Sequence, residues 1–541
     1  MSLQDSSPEV HVGPAAERAD LLSAEQLGHL RHLDNLSRLP ENDWTFMHGK
    51  GAGQDDFGAY RYQLSYMAYA LALTHVHRLP NAPGVFKLVF ERLIAKLLLP
   101  EVWLYWRDSS RGGSVFNAHL AHKYEEQWDP VTRDNIMYSA YVQSIALMYH
   151  YLFDDDRYSR PGALSFEFWS PFWGGEPKRF EYDEHSINER VYWQMVESGY
   201  LGVACEPNCV FQICNQPAIL GFRMHDLITG ENVAAEVTES YERAWADLGG
   251  RLGANGHYYR MFAEDSKELF PNEPAAASMD AWNGTLMNMW NRDFVRSRYP
   301  NQVKNLIAHS PGGTLCARPV PPMELMGRTV DTDTSGLGWL AAWASEMGDA
   351  ATLEGLLEHA DRYMNPSWWK DGLYYPRNDE YTDEAGNPTL VDPLTGNVLL
   401  AYGRLNVPDG LWKLYNEPWD AAHFTEPALT VVADDVTVSQ ARYTPASGVL
   451  IFRVQRGRDR TGDGKIVIAN VVDREHWTLK EDGILIATSQ SDRAISSDSG
   501  AHDGQQLQVG YGADGLELQL SAGAPRSFEL HVSPTGGWAD A

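Results

Sequence analysis

Apolar residues recur at helical spacing along most of the chain. In Ala24–Leu36 the residues Leu27, Leu30, Leu33 and Leu36 stand three apart, forming one flank of a helix. The same spacing predicts helices over Tyr62–Val76, Val85–Leu98, Asn135–Phe153, Ile187–Gly199, Gln216–Leu227, Val237–Leu248 and Ala277–Met289. It continues over Gly338–Met347, Ala351–Tyr363 and Asn397–Leu405. Connectors rich in Gly, Pro, Asp and Asn separate these segments, among them Arg78-Leu-Pro-Asn-Ala-Pro-Gly and Tyr299-Pro-Asn. A succession of helices with almost no βαβ signal predicts a mainly α fold, an α/α barrel in which helical hairpins ring a central pocket.

The pattern changes near Glu426. Short alternating runs predict strands at Leu429–Val432, Gly448–Arg453, Ile466–Val471, Ile484–Thr488, Gln506–Tyr511, Leu516–Ser521 and Ser527–Val532. Asp463-Gly464, Asp482-Gly483 and Asp514-Gly515 are turn signals between them, and Asp459–Gly464 reads as a hairpin turn. Seven strands in so short a stretch predict a small β-sandwich. The expected division is a loose segment 1–23, a catalytic barrel 24–425, a sandwich 426–533 and a polar tail 534–541.

Composition narrows the class. Of 541 residues 43% are hydrophobic and 11% aromatic, enough for a large core and incompatible with global disorder. Asp and Glu number 73 against 44 Lys and Arg, a net charge of −29 that repels phosphate backbones and argues against nucleic acid as a partner. The greasiest stretch, Val85–Leu99, is broken by Lys87, Glu91, Arg92 and Lys96, so no membrane span is expected. The N-terminus lacks the basic and apolar regions of a secretory signal. The cysteines number only four, three of them within Cys205–Cys214, which is no disulfide framework; a cytoplasmic protein is expected.

That cysteine segment, Cys205-Glu-Pro-Asn-Cys-Val-Phe-Gln-Ile-Cys214-Asn-Gln-Pro, is the densest chemical signal. Pro207 and Asn208 break the chain, and a helix beginning near Asn215 or Gln216 would put Cys214 at its N-terminus. There the helix dipole lowers a thiol's pKa from about 8.5 and fits it for proton transfer near neutrality. The same cysteines could instead be small buried apolar residues. Their spacing is not a usual zinc pattern, and the pairs His75/His77 and His119/His122 do not match one either, so no metal is expected. Asp331-Thr-Asp-Thr-Ser-Gly can serve either as a pocket carboxylate or as a helix cap. Tryptophans such as Trp103, Trp106, Trp169, Trp173, Trp282 and Trp290 suit a pocket for a sugar face or a hydrocarbon, and core packing accounts for them equally.

At these residues the chain resembles the linalool dehydratase-isomerase family. Cys205-Glu-Pro-Asn, Phe211 and Cys214-Asn look like that family's two-cysteine motif, with the same nine-residue separation. Gln26-Leu through Leu33-Asp34 and Ser37 is similar to its first helix, and Tyr62 through Tyr69-Ala-Leu to its second. Asn135-Ile-Met-Tyr138, Ala281-Trp282 and Glu346-Met-Gly-Asp349 follow in order. The resemblance implies an α6/α6 barrel and a cofactor-free lyase or isomerase for a small apolar, hydroxylated, terpenoid-like substrate, and an assembly of identical chains. It implies proton-transfer roles for Asp34, Tyr62, Cys205 and Cys214, with Met137, Phe211 and Trp282 lining the substrate pocket. The chain departs from the family in having Tyr141 where the family has its active-site histidine, and Ser278 where it has a tyrosine. It also carries an aromatic insertion, Arg160–Arg179, and the added β domain. These departures point to a substrate other than linalool.

Chemistry agrees with that class. Losing water from an allylic alcohol needs an acid, a base and a dry cavity, and no metal or redox group. The competing reading is a carbohydrate-active enzyme, which an α/α barrel followed by a β-sandwich would also suit; it requires paired carboxylates, with Glu125, Glu206, Asp280 and Asp331 as candidates. A non-catalytic binding scaffold is the third reading.

Overall fold

The computed structural model describes residues 21–532 apart from 52, 55, 113–116, 326, 458–461, 463, 472–475 and 490–506. The expected turn at Asp459–Gly464, residues 1–20 and the tail therefore fall wholly or mostly outside the described residues. The chain forms two compact units. One comprises residues 28–77 and 86–424; the other joins residues 21–27, 78–85 and 425–532.

In the helical unit, Tyr60–His77 and Ile136–Phe153 are buried on nearly every side, and Ala277–Met287 and Gly336–Met347 on all sides. Helices without a polar face belong inside a protein. With Gln212–Thr229 and Leu400–Leu405 they pack in cyclic order: each touches the next, and Leu400–Leu405 returns to Tyr60–His77. In sequence, each is followed by a further helix. Val233–Asp247 is typical, burying only Ala234, Val237, Tyr241 and Trp245, a single stripe of the kind that lies against a core.

A helix and a hairpin of this unit escape the sequence pattern. Arg292–Leu306 is a helix although Tyr299-Pro-Asn reads as a connector. It is so polar that it buries only Val295, Tyr299, Gln302, Val303 and Leu306, and it tolerates Pro300 at the loss of one backbone hydrogen bond. The insertion after Arg160 is an antiparallel hairpin, Leu164–Phe168 with Lys178–Tyr182, placing Phe166 opposite Phe180. Beyond its strands Trp169, Phe172 and Trp173 are 63%, 93% and 49% exposed.

The second unit holds two antiparallel sheets. One orders its strands as Ala428–Val432, Lys465–Ala469, Gly515–Leu520 and Leu507–Gly512. The other runs Val436–Thr444, Val449–Arg456, Arg526–Val532, Trp477–Glu481 and Ile484–Thr488. Val436–Thr444 and Trp477–Glu481 were not expected from the pattern; a bulge at Ser439 interrupts the alternation of the first, and one at Ile486 lies in the neighbour of the second. Earlier chain joins these strands: Leu22 N–H donates to Ser439 O at 3.0 Å, and Leu429 N–H to Asn81 O at 2.8 Å.

Ala277–Met287 and Gly336–Met347 approach closely at Gly284, where an added Cβ would lie 2.3 Å from the Trp343 indole. Trp343 is fully buried, so neither helix has room to yield. Gly284→Ala should lower unfolding stability by about 1–3 kcal/mol, measured by denaturant titration of the purified variant.

Candidate active site at the paired cysteines

The thiols are brought together by a clamp and a turn. The Asn215 side chain acts as a peptide mimic: its Oδ1 accepts from Val203 N–H at 2.8 Å, and its Nδ2 donates to Val203 O at 3.1 Å. This ties the chain before Cys205 to the first turns of Gln212–Thr229. Gly202, at φ +124°, is needed there, since a Cβ would fall 2.8 Å from Asn215 Nδ2. Between clamp and helix the chain reverses: Cys205 N–H donates to Cys209 O and Cys209 N–H to Glu206 O, both at 2.9 Å, with Asn208 left-handed at φ 71°. Asn117 secures the turn, Nδ2 donating to Pro207 O at 2.5 Å and Oδ1 accepting from Asn208 Nδ2 at 3.0 Å.

Cys205 and Cys214 are free, buried thiols, and each bears on the other's titration, as does Glu206. The helix begins at Gln212, so Cys214 does lie in its first turn. The expected lowering of its pKa does not follow. Burial pushes Cys214 up, and Cys205 rises well above its ordinary range through the influence of Cys214 and burial. Desolvation of the thiolate outweighs the helix dipole. Cys209 is pushed up to about 12, chiefly by burial.

A buried cation stands beside the pair. Arg61 Nη1 donates to Gln54 O at 2.5 Å and Nη2 to Tyr62 Oη at 3.0 Å. Its guanidinium lies 4.4 Å from the Tyr62 ring centroid and 4.0 Å from that of Tyr105. Among the described residues no carboxylate forms an ion pair with Arg61 within 4.0 Å; its charge is felt by Tyr62, Tyr105, Cys205 and Glu206. Burial pushes Glu206 up, while Arg61 and Cys205 act against the rise.

Aromatic rings from four of the inner helices build the adjoining wall. Tyr62 meets Trp282 edge-on at 5.6 Å and Tyr141 at 6.3 Å. Trp282 stacks on Trp339 at 4.6 Å and donates its indole N–H to Tyr66 Oη. Burial raises Tyr62 and Tyr141 far above neutrality, so both are neutral phenols that can donate a hydrogen bond but are poor bases. Met137 is buried one helical turn before Tyr141, on the same flank.

Two expected residues lie elsewhere. Asp34, expected to relay a proton, is held by Arg38 and Arg92 at 2.8 Å and by Arg31 at 3.3 Å, and no contact ties it to the thiols. Phe211, expected on the substrate wall, packs instead against the cluster of Cys209, Met261 and Ala263. The carboxylates of the carbohydrate reading are dispersed. Asp280 Oδ2 is 2.5 Å from His257 Nδ1 and its Oδ1 accepts from Tyr258 N–H; Asp331 is 3.4 Å from Lys50; Glu125 is exposed. Asp333 accepts from the Ala277 and Ser278 N–H groups and caps that helix. Only Glu206 of the four stands at the thiols.

Sequence reasoning passed over Arg61 and Tyr105. A signal for Arg61 was present: it is the one Lys, Arg, Asp or Glu in the 18-residue helix Tyr60–His77. A cavity of about 1080 Å³, lined by residues including Gln54, Leu99, Tyr105, Arg107, Trp169 and Trp173, lies beyond it. Gln54 and Tyr105 line this space and also touch Arg61; of the residues expected from sequence, Trp169 and Trp173 line it and Tyr62 touches Arg61. Among the described residues no three His, Cys, Asp or Glu side chains group to hold a metal ion, and no helix is long and apolar enough to cross a membrane.

Because Asp34 answers arginines, Asp34→Asn should cost about 1–3 kcal/mol of stability. It should leave the alkylation rates of Cys205 and Cys214 unchanged; a shift in those rates would reinstate the relay role.

Among solved structures, an alpha-1,6-mannanase of Salegentibacter sp. HEL1_6 is 12% identical, covers 73% of this chain and 99% of its own, and has a TM-score of 0.39. A glycosyl hydrolase family 88 protein from Bacteroides vulgatus is also 12% identical over 73% and 99%, with a TM-score of 0.37. A polysaccharide lyase is 13% identical over 74% and 99%, at 0.35. At such scores these likenesses carry no argument about the site. The family description "Linalool dehydratase/isomerase" matches residues 61–381, which include Arg61, Tyr62, Tyr141, both thiols and Trp282, and the chain belongs to that family.

Proposed function

We propose that this protein is a cofactor-independent lyase or isomerase acting on a small apolar unsaturated alcohol within an α6/α6 barrel. The cyclic order of the six inner helices supports the barrel, and family membership supports the reaction class. The observation that carries the reading is the pair of free, buried thiols Cys205 and Cys214 on one clamped loop, in a unit whose inner wall holds Tyr62, Tyr141 and Trp282.

A protonated, desolvated thiol is suited to act as an acid. It gives its proton to the substrate hydroxyl, the C–O bond breaks, and water leaves. The adjacent carbon then loses a proton to a base, so the net change is loss of one water; return of water to the far end of the allylic system gives isomerisation instead. Burial serves the chemistry by keeping bulk water from the cation formed between these steps. Tyr62 and Tyr141, as neutral phenols, orient the hydroxyl, and Trp282 with Met137 faces the hydrocarbon.

Gas chromatography–mass spectrometry of the protein incubated with alkenols, from short tertiary allylic alcohols to sesquiterpenols, tests this. A product is expected, and Cys205→Ala or Cys214→Ala should lower kcat/KM by about 10²–10⁴-fold with the fold retained. Undiminished turnover in both variants would defeat the thiol mechanism. No product across the panel would turn the search to a more polar substrate.

A further inference from the structure

The aromatic hairpin after Arg160 has no part in the reaction proposed above, yet it walls the cavity of about 1080 Å³. We propose that this cavity is a saccharide-binding cleft that takes a neutral oligosaccharide, with one sugar face stacked on Trp169. Such binding needs no turnover and does not depend on the proposed reaction.

The wall is firmly built. Side chains two apart along a strand share a face. Phe166 is fully buried, meeting Trp103 edge-on at 6.2 Å and Tyr138 at 6.0 Å, and so seats the hairpin on the helices behind it. Phe168 continues that face to the cavity, tilted against Trp128 at 5.6 Å and Trp173 at 4.8 Å. Two cations fix the group. The Arg107 guanidinium lies 5.4 Å from the Trp128 centroid and 5.0 Å from that of Trp173, and Lys178 Nζ lies 5.3 Å from Trp128. Gly174 turns the chain at φ +94°, where a Cβ would fall 2.7 Å from Phe168. Trp169 differs from these rings. It lines the cavity, is 63% exposed, and among the described residues no ring or cation stacks on it, so its indole has a face to offer.

The remaining lining selects the ligand. Four acidic and three basic side chains face the cavity with Asn42 and Gln54. A hydrocarbon laid among them would strip water from charged groups and return no hydrogen bond. An anion is poorly served, since Arg107 is 2.7 Å from Asp108, and Arg179 is 2.6 Å from Glu181 and 3.3 Å from Glu167. A cation would meet rings that Arg107 and Lys178 already face. What fits is an uncharged ligand with an apolar face for the indole and a rim of hydroxyls for carboxylates and amides, which describes a sugar ring. The volume stands at the top of the roughly 300–1,000 Å³ that small-molecule sites span, leaving room for several linked rings. Tyr105 and Arg61 link the cavity to Tyr62 of the inner wall. The same chemistry therefore serves a free glycan or a glycosyl group carried by the alcohol.

The full chain, carrying a terminal affinity tag, is screened on an array of neutral and acidic oligosaccharides, and the strongest binder is measured by isothermal titration calorimetry. A neutral glycan is expected, with a Kd of about 1 mM or tighter. Trp169→Ala should weaken it by about tenfold or more, and Trp169→Tyr should restore part of the loss. Trp193→Ala, which removes a tryptophan 50% exposed on the helix Glu184–Glu197, should change nothing. Circular dichroism and an unchanged Tm check that each variant is folded. Comparing the glycan with its octyl glycoside separates the two sources: equal affinity assigns a free glycan, and tighter binding that still needs Trp169 assigns a sugar-bearing alcohol. The proposal is overturned by an array that shows no neutral glycan bound or a preference for acidic ones. It is equally overturned by binding indifferent to Trp169→Ala, or by displacement with 1-octanol or inorganic phosphate. None of these readings involves turnover, so their failure is distinct from failure of the proposed reaction.

Discussion

Desolvation inside the ring of helices governs this site. A helix buried on every side offers an internal charge no solvent, so each polar group there is answered by another protein group or remains neutral. Arg61 is the test of that rule. Its guanidinium lies between two tyrosine rings and donates to a backbone carbonyl and a phenol. The same physics holds the thiols and the phenols in their protonated forms. Acidity in this pocket is therefore the default state, and basicity has to be provided by specific design.

That asymmetry bears on Tyr141. An imidazole can hold or release a proton near neutrality, whereas a buried phenol can only donate. With tyrosine at this position the burden of accepting protons falls on another group.

Much of the helical unit was legible in sequence because its inner helices are apolar and the others striped. Arg292–Leu306 was not, since polarity and Pro300 hide a helix held mainly by tertiary contact. The strand Val436–Thr444 was missed because its bulge at Ser439 interrupts the alternation by which a short strand is read. At the site, the two cysteines, Tyr62, Tyr141 and Trp282 were named by motif; the three rings meet, and the cysteines lie on one clamped loop. Asp34 and Phe211 were carried by motif alone, and position in a helix does not reveal which way a side chain is drawn; three arginines and the Cys209 cluster decide that. Arg61 was overlooked because a lone charge beside a tyrosine resembles a surface residue until the helix is known to be buried all round.

The Asn215 amide binds both backbone groups of Val203, which makes the chain from Val203 to Asn215 a loop closed at a set length. Cys205 and Cys214 stand at fixed marks along it. A single inserted or deleted residue would either open the clamp or slide one sulfur past the other. The segment thus works as a ruler: side chains around it can change to suit another substrate, while the residue count between the sulfurs has no freedom to drift.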